Sequence, residues 1–218
     1  MTKQLIIGLV GEGKTDYRFL NSVVKRTFEK VAFECKGDIE ILEVQDIETP
    51  TKPFIEFVNE SAKNAVGYYG VMILCVHTDA DDRDDQKIFQ TKIQPAFDAV
   101  LKSEVELCEL VPIVPIVMVE SWMLADPELF CAELGTSLSF PNLGINQSPE
   151  NISNPKEIIR SAIRIAFENR SKRRSTLKIA ELYAPLGQKI KLEKLENLSS
   201  YLKFQDAIRE VLVKMNYM

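Results

Sequence analysis

Glu12 stands between two glycines directly after the aliphatic run Leu5 to Val10, and Asp79 and Asp81 open the acidic segment HTDADDRDD, His77 to Asp85, directly after the most hydrophobic run of the chain. Carboxylates are the hard oxygen donors that Mg²⁺ and Mn²⁺ take. An Asp-x-Asp spacing in extended backbone also puts both side chains on one side. Glu12, Asp79 and Asp81 are therefore read as one joint site for a divalent ion, Mg²⁺ or Mn²⁺. Asp82, Asp84 and Asp85 read as solvated acids near a helix start, where the helix dipole favours negative charge.

Such a site needs two distant stretches of chain to end side by side. The run Leu5 to Val10, stopped by Gly11-Glu12-Gly13, reads as a strand and a tight loop. The helix that follows carries Phe19, Leu20, Val23, Val24, Phe28 and Val31 at helical spacing, with Thr15 or Asp16 as its cap. Asp38 to Val44 reads as a strand and Lys52 to Val66 as a helix. The uninterrupted apolar run VMILCV before His77 reads as a central strand covered on both faces. Ile88 to Leu101 is helical in period, and Leu110 to Val119 reads as an edge or irregular strand, because Pro112 and Pro115 each remove a ladder donor. The alternation predicts an α/β fold with a mostly parallel sheet flanked by helices over 1–119. Helices at Ser121 to Leu134, Pro155 to Phe167, Leu177 to Tyr183 and Tyr201 to Met215 then form a C-terminal helical extension over 120–218, packed on the core. In such sheets ligands sit at the carboxyl ends of the strands, which is where Glu12 and Asp79 fall.

A second pattern overlaps the first. Gly8-LVGE-Gly13-Lys14-Thr15 satisfies GxxxxGK[ST], the phosphate loop in which backbone amides and a lysine hold a nucleotide. Under that reading the chain binds a nucleotide through Lys14 and Thr15. Leu9 and Val10 look like the end of a strand, however, and a phosphate loop leaves Glu12 without a role.

The chain has 218 residues, 45% hydrophobic and 27% charged, with a formal net charge of -5. That balance suits a folded globular protein and argues against unspecific adhesion to nucleic acid. Positive charge concentrates in NRSKRRSTLK, where Arg173, Arg174 and Lys178 are the phosphate-contact candidates, with Lys14 beside them at the first loop. The four cysteines are scattered without metal or disulfide spacing, and no run is long enough to span a bilayer, so the expectation is a cytoplasmic protein. Trp122 reads as a core residue under the site and His77 as an imidazole satisfied locally.

VGEGKTDYRFL resembles the first motif of the TOPRIM fold, a strand ending in Glu-Gly before a helix, and HTDADD resembles its Asp-x-Asp motif. VESWMLADPELF, Val119 to Phe130, and the element Tyr183 to Ile190 resemble segments of a bacterial TOPRIM-like family catalogued as a domain of unknown function, related to OLD-type nucleases. The resemblance implies a TOPRIM-like (Rossmann-like) core and Mg²⁺-binding carboxylates at Glu12, Asp79 and Asp81. Glu120 then falls beside them as a further ligand or general base. The implied activity is metal-dependent nuclease or phosphodiester chemistry on DNA or RNA, by analogy as a phage-defence effector acting with a separate ATPase and possible as a homo-oligomer. The alternatives are the phosphate-loop nucleotide binder and a catalytically silent binding subunit of the same fold.

Overall fold

The computed structural model describes residues 2–50, 52–103, 108–168 and 177–218; Arg173 and Arg174 lie outside them. The first aliphatic run forms two strands nearly end to end, β1 (Lys3–Leu5) and β2 (Ile7–Gly11). β1 pairs with β3 (Ile39–Ile41), whereas β2 lies between β4 (Gln45–Asp46) and β5 (Ile73–His77). β6 (Glu109–Ile113) pairs with the far side of β5. Every pairing is parallel, and the larger sheet has the order β4-β2-β5-β6. The expected α/β class, a parallel sheet flanked by helices, is what the chain forms.

All five residues of β5 are buried, as a strand covered on both faces requires. Its register sets His77 beside Gly11 of β2 and beside Ile113 of β6. Three strands thus end at one level, and the loops that leave them meet there. Gly8 is paired in register with Gln45 on one side and Leu74 on the other. Gly8 to Gly11 are therefore residues of a paired strand rather than of an open loop.

α1 (Tyr17–Ala32) and α2 (Phe54–Tyr69) follow β2 and β4. The next helical stretch is interrupted: α3 (Gln86–Ile88), a π-helical turn (Phe89–Ile93), then α4 (Gln94–Leu101). After β6 come α5 (Glu120–Met123), α6 (Pro127–Leu134), α7 (Pro155–Phe167), α8 (Tyr183–Lys189), α9 (Leu192–Leu195) and α10 (Ser199–Lys214). Alternate strand residues feed two cores, one on each face. Leu9 and Cys75 join α1 and the late helices, while Val10, Leu74 and Val76 join Val58, Ala62 and Ala65 of α2 and Ala96 and Val100 of α4.

The strand expected from Asp38 to Val44 shortens to Ile39–Ile41, and three further boundaries differ for reasons the contacts show. β6 stops at Ile113, because beyond it the chain pairs with the acidic loop: Ala80 N–H donates to Pro115 O at 3.1 Å and Asp81 N–H to Val117 O at 3.0 Å. The helix expected from Ser121 to Leu134 is two helices, since Asp126 leaves the helical conformation to accept from Leu129 N–H at 3.1 Å and Pro127 starts α6. The helix expected at Leu177 to Tyr183 is a 3₁₀ turn, Ile179–Glu181, running into α8.

Two contacts hold the late helices. α8 crosses α1 so closely that a Cβ on Gly187 would lie 2.4 Å from Phe19 O and 2.8 Å from Phe19 Cα. Glu150 accepts from the amides of Ser199 and Ser200, at 3.0 and 2.9 Å, and from their hydroxyls, at 2.8 and 2.6 Å, closing the N-terminus of α10. Ser200 Oγ in turn accepts from the buried Trp122 Nε1 at 2.8 Å.

Gly187→Ala is expected to lower stability by about 1–3 kcal/mol, the usual cost of forcing atoms into a packed contact, measured by urea unfolding. For Glu150, burial raises the carboxyl's pKa, but the Ser200 and Ser199 hydrogen bonds outweigh it and leave it below the ordinary 4.5. A lowered folded-state pKa stabilises the fold at pH values above the unfolded value and ceases to do so as pH falls through the folded one. Glu150→Gln is therefore expected to cost about 1–2 kcal/mol at neutral pH, with the gap from the wild type closing as unfolding curves are taken to more acidic pH.

Candidate metal centre

The end of β5 carries the densest set of metal donors among the described residues. Asp16, His77 and Asp79 each present a ligand atom, and these atoms all lie within 4.8 Å of one another. His77 Nε2 is 3.5 Å from Asp16 Oδ2 and 3.7 Å from Asp79 Oδ1. The imidazole is 3% exposed. Its Nδ1 lies 3.2 Å from Ile113 O. A carbonyl oxygen only accepts, so Nδ1 carries the proton and Nε2 turns its other side to two carboxylates. A metal-ligating histidine is held in this way, by a backbone carbonyl on the remote nitrogen.

Local sequence explains each position. Gly11 lets the imidazole lie against the strand, since a Cβ there would sit 3.0 Å from His77 Cβ and 3.1 Å from its Cδ2. Gly13 leaves room for Asp16, whose Oδ2 would be 2.2 Å from a Cβ at that position. Asp16 occupies the cap position of α1 but accepts no capping hydrogen bond from it; its carboxylate faces His77 instead. Tyr17 ties the loop back, accepting from Gly11 N–H at 2.8 Å and donating to Gly11 O at 3.3 Å. Burial, partly offset by the Gly11 bond, raises its hydroxyl to about 12, so it acts there as a neutral group.

Asp79 Oδ1 also accepts from Val119 N–H at 3.0 Å. Two residues earlier Val117 has φ 61°, a left-handed conformation that a β-branched residue rarely takes and that costs on the order of 1–3 kcal/mol. That strained bend lets the chain after β6 return its Val119 amide to Asp79. Burial first, then the charges of Asp16 and Glu120, raise the Asp79 carboxyl from 3.8 to about 6, against lowering by His77 and the Val119 amide. For His77, burial alone lowers the pKa, but Asp16, Asp79 and the Ile113 carbonyl together shift it upward. Burial dominates at Asp79, but the acidic neighbours act in the same sense at both groups: they favour a positive charge, a proton or a metal ion, between the members of the cluster.

The residues expected from the sequence are placed unevenly. Asp79 is in the donor set. Glu12 is adjacent, half exposed, with Oε2 accepting from Thr78 Oγ1 at 3.3 Å and lying 3.5 Å from Lys92 Nζ. Glu120 is 2% exposed and close enough to perturb Asp79, but its Oε1 takes the Tyr183 hydroxyl and lies 3.3 Å from Lys156 Nζ. Asp81 corrects the Asp-x-Asp expectation. Its φ of 56° breaks the extended alternation, and its side chain is exposed and outside the donor set. Lys14 is exposed and lines a cleft of about 730 Å³ shared with Glu12, Tyr17, Lys52, Phe54 and Phe57. Lys178 is exposed before the 3₁₀ turn that Arg18 of α1 holds through Ala180 O at 3.4 Å.

Asp16 and His77 are the members that sequence reading passed over. Asp16 looked like a cap because a helix start explains an aspartate by itself. The glycine three positions earlier was its signal. The donor set fits a divalent ion: two carboxylates suit Mg²⁺ and Mn²⁺, and the imidazole shifts the preference from Mg²⁺ toward Mn²⁺ and other transition ions. Gly13→Ala is expected to displace the Asp16 carboxylate while sparing the fold, weakening Mn²⁺ binding by about tenfold or more in calorimetric titration.

A family model described as a domain of unknown function, DUF4276, matches residues 11–205. No curated protein and no solved structure matches the chain. The matched stretch begins with the loop that carries Glu12 and Asp16 and ends within α10, so the donor cluster and the helices packed behind it fall inside one family domain. The chain belongs to the DUF4276 family.

Proposed function

We propose that this protein is a metal-dependent phosphodiester hydrolase of the TOPRIM type, a nuclease acting on DNA or RNA, centred on Asp16, His77 and Asp79. The observation that carries the reading is the meeting of these donors at the carboxyl end of the central parallel strands, within 4.8 Å of one another. Binding sites of α/β sheets form at that edge.

A divalent ion held by Asp16, His77 and Asp79 would supply Lewis acidity toward a phosphoryl oxygen and make water more acidic. The chain's own residues do the rest. His77 is fixed by the Ile113 carbonyl, and Asp79 by the Val119 amide, so two donors are held in place before any ion arrives. Glu120, bound by Tyr183 and Lys156, adds negative charge behind Asp79 and favours retention of a cation. Burial and then Glu120 raise the Tyr183 phenol, which stays protonated as the donor. Lys14, in the loop that bears Asp16, and Lys178, before the 3₁₀ turn that Arg18 holds, are exposed cations available for backbone phosphates in this reading. That Gly8 to Gly11 lie in the paired strand β2 favours the metal reading over the phosphate-loop one.

The test is cleavage of single-stranded and duplex DNA and RNA with Mn²⁺ or Mg²⁺. Metal-dependent cleavage is expected, and Asp79→Asn or His77→Ala should each lower kcat/KM by about a hundredfold or more, as loss of a Lewis-acid contribution of several kcal/mol implies. Cleavage undiminished in Asp79→Asn would overturn the assignment. Bound Mn²⁺ with no cleavage of any substrate would mark a silent binding subunit. MgATP binding abolished by Lys14→Ala and kept in Asp79→Asn would mark a nucleotide binder.

A further inference from the structure

A phosphodiester is an anion, and the cluster it must approach is crowded with carboxylates: Asp16, Asp79, Glu12 and Glu120. A cation has to offset that repulsion. Among the described residues, two lysines reach acids of this group. Lys156 is paired with Glu120, whose side chain is 3% exposed and also takes the Tyr183 hydroxyl. Removing Lys156 would strip a buried charge of its counter-ion, so that lysine is committed.

Lys92 is in the opposite position. Its Nζ lies 3.5 Å from Glu12 Oε2 and 3.5 Å from Thr78 Oγ1, and 5.5 Å from the centre of the Phe54 ring that walls the 730 Å³ cleft. Glu12 is 53% exposed, so the pair is long, wet and contributes little to stability. The lysine is delivered by the π-helical turn Phe89–Ile93, where one extra residue rotates the following side chains relative to a regular helix. Such turns are costly to keep and concentrate at functional sites. Its cation therefore stands between the cleft and the donor cluster, on a partner it can leave without leaving a charge buried.

We propose that Lys92 binds the phosphate nearest the donor cluster, and that until a phosphate arrives it holds Glu12 back from the metal donors. Glu12 is separated from the donor set by a single hydrogen bond, through Thr78, the residue between His77 and Asp79. When a substrate phosphate takes the Lys92 ammonium, the Glu12 carboxylate loses its counter-ion and is free to turn to the ion held by Asp16, His77 and Asp79. Substrate and metal then each strengthen the other's binding, as linkage requires. The proposal rests on the metal-dependent phosphodiester reading above.

The experiment is Mn²⁺ titration calorimetry on the full chain without substrate. Lys92→Met should bind Mn²⁺ about fivefold or more tightly than the wild type, the lower range of an ordinary coupling, because Glu12 is released. In a Glu12→Gln background the same Lys92→Met change should give no gain. A gain that persists there reflects only removal of a positive charge and would overturn the proposal, as would an unchanged or weaker Mn²⁺ affinity in Lys92→Met alone. With a single-stranded phosphorothioate oligonucleotide as probe, Mn²⁺ binding should tighten in the wild type and not in Lys92→Met; equal tightening in both would also overturn it. Failure of wild-type Mn²⁺ binding, or Mn²⁺ binding untouched by Asp79→Asn, would instead sink the metal-site reading on which it rests.

Discussion

The proton on His77 Nδ1 is the pivot of the molecule's chemical end. Because the Ile113 carbonyl, which also takes the Thr78 amide at 3.2 Å, accepts it, Nε2 faces Asp16 and Asp79. That bond exists only because β5 and β6 run parallel in a register that sets His77 opposite Ile113. A one-residue slip would send His77 to the other face of the sheet and scatter the cluster.

Around this pivot the structure accumulates negative charge that folding alone would not favour. Asp79 is raised to about 6 by burial and by its acidic neighbours, and the chain accepts a left-handed Val117 to bring an amide to it. Gly11 and Gly13 leave space for His77 and for the Asp16 carboxylate. Strain and like charge gathered at one sheet edge are the usual mark of a site shaped for a ligand, because each weakens the empty fold. The cations present are graded in commitment: Lys156 is bound to a buried glutamate, whereas Lys92 rests on an exposed one.

The helices after residue 120 are part of the same construction. α8 packs on α1 through Gly187, and Tyr183 at its start reaches Glu120, so the crossing that buries Phe19 also places a hydroxyl behind the site. Trp122, in the helix that begins with Glu120, is fully buried and bonded to Ser200, which Glu150 holds in turn. It is a core residue, as its surroundings in the sequence suggested, and it connects α5 to α10.

Patterns that depend on near neighbours in the chain were legible from the amino-acid order. Apolar runs predicted β2 and β5, helical spacing predicted α1, α2 and α7, and the position of Asp79 after a fully apolar run placed it at a strand end in the site. Glu12 likewise follows a strand end near it, whereas Glu120, expected at the end of a strand, opens helix α5 seven residues beyond β6 and comes near Asp79 from there. Partners distant in sequence were decided by the fold. Asp16 reads locally as a helix cap and His77 as a strand terminus; only the β2–β5 register and the room above Gly13 bring them together with Asp79. Asp81 departs from the expected alternation for the converse reason, since its spacing promises an extended strand but the chain pairs with Val117 there and its backbone is left-handed. Spacing determines which side chains an ideal element would align, and long-range hydrogen bonds determine whether the backbone stays ideal where the chemistry is.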